Sequence, residues 1–127
     1  MIVKEDENTK MSRKNKLFET PPYAIEQRLK KLGSDLRMAR VRRNLTVAEV
    51  SKKIGTGMRA VTDAEKGKVS TGAGVYFALL WVFDLLGHMD EVADPVHDVE
   101  GQRLAFSREK MRARHSQTLG GEIGNDF

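Results

Sequence analysis

Apolar residues return every three or four positions from Tyr23 onward. Ile25, Leu29, Leu32, Leu36 and Ala39 are spaced four, three, four and three, which puts them on one stripe of an amphipathic helix. Gly33 interrupts the stripe, at a cost of about 1 kcal/mol relative to Ala in a helix interior. The other faces carry Arg28, Lys30, Lys31, Arg37, Arg40, Arg42 and Arg43. The pattern predicts an end near Asn44. Thr46-Val47-Ala48-Glu49 then reads as a capping box. The Thr46 hydroxyl accepts the amide of Glu49, and the Glu49 carboxylate reaches back to the Thr46 amide. Val47, Val50 and Ile54 form the next short stripe, and Gly55-Thr56-Gly57 makes a tight turn. A short helix from Met58 to about Lys66 turns Val61 and Ala64 inward, with Gly67 just past its end.

Ser70 or Thr71 caps a further helix through the apolar run Val75 to Leu86, which Gly87 ends. This run is apolar around most of its circumference, so one face fills a core and the other needs a cover. It reads either as a central core helix beneath later segments or as a dimer surface. Tyr76, Leu80, Trp81, Phe83 and Leu86 serve one or the other, and the pattern does not divide them. Beyond Gly87 the chain turns acidic, with Asp90, Glu91, Asp94, Asp98 and Glu100 around Pro95. A last, weakly periodic helical piece runs from Val99 to Arg114, and the Gly-rich tail from Thr118 to Phe127 is expected to fray. At the other end, residues 1–20 are polar and end at Pro21-Pro22. The expected organisation is a flexible N-terminal arm over 1–22, a helical domain over 23–90, and an extension over 91–127, partly helical with a disordered tail. No alternating run is long enough for a strand, so the fold class is all-α.

Composition narrows the chemistry. The 127 residues, 39% of them apolar, allow one modest core. Lys+Arg 22 against Asp+Glu 18 gives a net charge of +4, which favours a polyanionic partner. The absence of cysteine excludes disulfides, thiolate metal sites and Cys nucleophiles. His88, His97 and His115 lie far apart, without metal-ligand spacing. No carboxylate pair, Ser-His-Asp order or phosphate-cradling loop stands out; Gly55-Thr-Gly57 is too short for one. The expectation is therefore no catalytic residue, no metal and no cofactor. Met1 to Lys16 lacks the apolar centre of a signal peptide, and Val75 to Leu86 is too short to span a bilayer. A cytoplasmic protein without a membrane partner is expected.

Two short helices joined by a tight turn pack only if certain positions are small or apolar. Val50 and Ile54 face inward, Ser51 is small where the helices approach, Gly55 suits the turn, and Val61 and Ala64 complete the inner side. The run Leu36-Arg-Met-Ala-Arg40, Leu45-Thr46, Glu49-Val50, Ile54-Gly55, Val61 and Glu65-Lys66-Gly67 resembles the Xre or lambda-repressor-like helix-turn-helix family over residues 33–86. The resemblance implies an all-α, five-helix DNA-binding domain that binds palindromic double-stranded operator DNA as a homodimer.

Mapped onto this chain, it implies that Met58, Arg59, Thr62 and Asp63 face the bases. Arg59 would fork onto O6 and N7 of guanine, worth about 1–3 kcal/mol of discrimination. Asp63 would accept from cytosine N4 or orient Arg59. Thr46, Thr56 and Gly57, with the amides at the helix starts, would hold phosphates, and Lys66 and Lys68 would clamp the strand. Arg40 would pair with Glu65 in a buried bridge. The chain departs from the family at Gly57, where Ser or Thr is usual, at Met58, where Gln is common, and at Ala64, where a larger residue is usual.

A narrower likeness follows. Ser70 to Trp81, then Ala93-Asp-Pro95, Asp98 and Gly101, are similar to HipB-type antitoxin regulators, which accompany HipA-type kinase toxins. That implies a repressor of its own operon with a kinase-fold toxin as partner. A stand-alone Xre-type regulator remains open. So does an adaptor that neutralises a partner without reading DNA, which Gly57, Met58 and Asp63 favour.

Overall fold

The computed structural model describes the backbone of residues 15–124 and the side chains of residues 15–117. The described residues are all-helical, without a strand. They divide into two compact units between Leu86 and Gly87. None of the described helices is long and apolar enough to cross a membrane.

The first unit holds α1 (Lys16–Glu19), α2 (Tyr23–Arg42), α3 (Val47–Ile54), α4 (Met58–Glu65) and α5 (Ala73–Val82). Residues 1–14 of the expected arm lie outside the described residues, and α1 is one helical turn within the remainder. Pro22 opens α2, its carbonyl accepting the amides of Ile25 and Glu26. Proline suits this position because the first turn leaves amides without partners anyway.

Four helices end in the same way. Each is followed by a residue at positive φ: Asn44 at 53°, Gly55 at 75°, Gly67 at 71° and Asp84 at 59°. The next amide then bonds back into the last turn, from Leu45 to Arg40, Thr56 to Ser51, Lys68 to Asp63 and Leu85 to Leu80. This closure satisfies carbonyls that the helix end would otherwise leave open. The apolar run therefore stops at Asp84 rather than at Gly87. A short Asp side chain tolerates the left-handed conformation well enough to end it there. The expected caps Ser70 and Thr71 are not used; Gly72 precedes α5 without a side-chain cap.

α4 packs against α2, α3 and α5. Val61 and Ala64 are fully buried between them, with Leu36, Val50, Leu79 and Phe83 around them. The stripe on α2 is shorter than its periodicity suggests. Ile25 is 40% exposed, and the buried residues of α2 are Gly33, Leu36 and Ala39. Gly33 is thus no mere interruption: a Cβ there would run into the backbone at the end of α4. On α5, Tyr76, Leu80 and Phe83 are core residues, and Leu86 beyond it is half-buried. Trp81 is not a core residue; at 62% exposure it shares the outer face with Phe77. Arg43 fastens the ends of α2 and α5 together. Its Nη1 donates to the Ala39 carbonyl at 2.9 Å, its Nη2 donates to the Phe83 carbonyl at 2.8 Å, and its guanidinium lies 5.3 Å from the Phe83 ring centroid.

A 3-10 turn, Leu86–Glu91, spans the division, and the second unit continues into α6 (Val99–Gly124). Asp98 Oδ1 accepts the Gly101 amide at 3.0 Å, and the Gln102 side chain donates to the Pro95 and Val96 carbonyls at 2.8 and 2.9 Å. These bonds start α6 where the sequence predicts. The helix continues past Arg114 to Gly124, and residues 125–127 of the tail lie outside the described residues.

Candidate nucleic-acid interface

The α3–turn–α4 segment is built by local chemistry. Thr46 Oγ1 accepts the Glu49 amide at 3.1 Å, and Glu49 Oε1 accepts the Thr46 amide at 3.2 Å, closing the capping box. Ser51 is buried, and its hydroxyl donates to the Ala48 carbonyl at 2.8 Å, so its polar atom stays satisfied at the helix crossing. Gly55 closes α3, and Gly57 opens α4 in an extended conformation with no side-chain cap. The first-turn amides of α4 thus have no hydroxyl over them, which leaves a positive helix end open to an anion. Thr56 beside it is half-buried.

The outer side of α4 is open. Met58 is 54% exposed. Arg59 is exposed and makes no hydrogen bond or ion pair with any described residue. Thr62 and Asp63, one turn on, are half-exposed. The Thr62 hydroxyl donates to the Met58 carbonyl at 3.0 Å, so what it still offers outward is lone pairs and a methyl group. Asp63 does not orient Arg59. Its Oδ1 meets Lys68 Nζ at 3.4 Å, because the left-handed turn at Gly67 brings Lys68 back beside the last turn of α4. This pair is partly solvated and adds little stability.

Lys66 is exposed and lines a shallow cleft with Arg37, Thr62 and Glu65. The sequence alone did not single out Arg37 from the other cations of α2. The signal was its spacing: Arg37 stands three residues before Arg40, hence on the same face. Two other cations of α2 are paired along the helix itself. Lys30 pairs with Glu26 at 3.0 Å and Lys31 with Asp35 at 2.6 Å.

Arg40 and Glu65 meet in a two-point bridge, Nε to Oε2 at 2.6 Å and Nη2 to Oε1 at 3.0 Å. Arg40 Nη1 also donates to the Leu45 carbonyl at 3.0 Å. The side chains are 13% and 9% exposed, and the hydrogen bonds to Glu65 raise the Arg40 pKa above its ordinary value. Three parts of the chain are fixed by this one guanidinium: the end of α2, the approach to α3 and the end of α4. Beneath them the Tyr76 hydroxyl donates to the Lys68 carbonyl at 3.0 Å. Burial, aided by the Asp63 carboxylate, pushes the Tyr76 phenol above its ordinary range.

No family model, curated protein or solved structure matches the chain. An α-helix with its side chains is about 10–12 Å across, and the major groove of B-DNA is about 12 Å wide. α4 is a rod of that width, with a guanidinium that has no partner among the described residues near its open end and cations near its far end.

Proposed function

We propose that the chain is a sequence-specific DNA-binding repressor with a lambda-repressor-like domain of the Xre type, acting as a homodimer on a palindromic operator. The observation that carries this reading is the placement of α4. Three helices hold its inner side, while Met58 and Arg59 stand outside and Arg59 has no partner among the described residues. Arg59 reads guanine; Met58 and Thr62 offer apolar contact to thymine methyl groups. The open first turn of α4, with Thr46, Thr56, Gly57, Arg37, Lys66 and Lys68, engages phosphates. Dimerisation uses the outer face of α5, where Phe77 and Trp81 are exposed and no charged residue occurs between Ala73 and Val82. The likeness of residues 70–114 to HipB-type regulators supports an antitoxin that represses its own operon and takes a HipA-like kinase toxin as partner.

Footprinting on DNA upstream of the reading frame tests the proposal. The parent protects a palindrome, and Arg59→Ala abolishes that protection without changing the helical circular dichroism. A variant that protects the site as well as the parent would remove Arg59 from base readout. A second reading, an adaptor that binds no DNA, is favoured by the apolar Met58 at the head of α4 and by the pairing of Lys68 with Asp63. A folded dimer that retards no genomic fragment at moderate salt would select it.

A further inference from the structure

Every described side chain of α6 from Gln102 to Gln117 is exposed. A helix in that state has no core packing to hold it and relies on pairs along its own surface. Arg103 pairs with Glu100 near the start at 2.6 Å. Further on, the spacing turns unfavourable. Arg108 and Arg112 stand four residues apart, where like charges repel across one turn. Between Gln102 and Gln117 the sequence holds Arg103, Arg108, Lys110, Arg112 and Arg114 against a single acid, Glu109, whereas residues 87–100 hold Asp90, Glu91, Asp94, Asp98 and Glu100 with no Lys or Arg. Basic charge is thus concentrated on the helix from Gln102 to Gln117, and acidic charge on the segment that leads into its first turn. A second copy is a poor cover for this surface. Leu104 and Met111 are seven apart, but no second apolar position repeats with them, so there is no coiled-coil seam.

We infer that α6 is a second DNA-contacting element, which lays the face carrying Arg108 and Arg112 against duplex phosphates without reading bases. The inference rests on the repressor reading for its partner and adds a contact outside the helix-turn-helix. A polyanion removes the repulsion between Arg108 and Arg112, so binding and helix formation reinforce each other. Neutralised phosphates release counterions, which makes the contribution visible as salt dependence.

The test compares the full-length chain with a triple variant, Arg108→Gln, Lys110→Gln and Arg112→Gln, on an operator duplex and a random duplex between about 50 and 200 mM salt. All three positions are exposed, so the variant keeps the parent's fold. The variant should bind both duplexes more weakly by a similar factor. Its log–log salt slope should be shallower by about 0.9 for each phosphate that is no longer neutralised, with the footprint unchanged. Glu109→Gln, which removes the opposing acid, should strengthen binding to both duplexes. Duplex should raise the helical signal of the parent more than that of the triple variant. A triple variant with the parent's affinity and slope on both duplexes would overturn the inference while leaving the operator reading intact. Random-duplex binding that the triple variant loses, with no operator ever footprinted, would support α6 and remove the repressor reading. A parent that binds neither duplex overturns both.

Discussion

A Cβ on Gly33 would stand 2.5 Å from the carbonyl oxygen of Ala64. The carbonyl of Glu65 is as close, at 2.6 Å. The last turn of α4 therefore crosses α2 at the one position of that helix without a side chain to intrude.

Gly33→Ala should consequently destabilise the domain, although Ala is the better helix former. Propensity contributes about 1 kcal/mol in favour. Forcing a methyl group against fixed backbone costs about 1–3 kcal/mol, and the Arg40–Glu65 bridge keeps that backbone from yielding. A net loss of about 1 kcal/mol in urea unfolding is expected, with weaker operator binding because α4 tilts. A variant as stable as the parent would show that the two helices do not touch at this point.

Removing one partner of the Arg40–Glu65 bridge strands a charge with little access to water. Arg40→Ala or Glu65→Ala should each cost about 3 kcal/mol, while Arg40→Met with Glu65→Met recovers much of the loss. Arg40→Lys should fall between, because an ammonium cannot make the two-point contact. The Arg40 pKa is raised above its ordinary value, so the bridge contributes fully below that value and fades only as pH climbs through the folded one. Unfolding of the double variant and the parent should thus show the same difference at pH 6 and pH 9.

Tyr76 supplies an alkaline dependence. Its phenol is raised above the ordinary 10.0, so the associated stability is complete below that pH and is lost as pH rises through the folded value. Tyr76→Phe should cost about 1 kcal/mol at neutral pH, because it cannot donate to the Lys68 carbonyl. The gap to the parent should then narrow above pH 10. Parallel curves for Tyr76→Phe and the parent would refute the burial of an un-ionised phenol.

On the proposed pairing of two copies through α5, Trp81→Glu should give a monomer that stays folded, because the indole is on the outer face of α5. Light scattering across a dilution series should give the monomer mass, and thermal unfolding extrapolated to low concentration should match the parent. A variant that remains dimeric would place the interface elsewhere.

The helices and their ends were legible because the signals are local. The Thr46–Glu49 box, the left-handed residues Gly55 and Gly67, and the inward pair Val61 and Ala64 are all settled within one or two turns of chain. The apolar run misled at its end, since Asp84 closed α5 before Gly87 was reached. It also left Trp81 undivided from Tyr76 and Phe83, because a helix apolar all round carries no phase.

The sequence by itself determined where α2, α3 and α4 form and which residues of α4 turn inward, since backbone hydrogen bonds and caps act over a few residues. Only the tertiary structure decided that Gly33 is a crossing point, that Lys68 rather than Arg59 meets Asp63, and that Arg43 grips the end of α5. Those outcomes depend on distances between segments that the chain brings together only when its core closes.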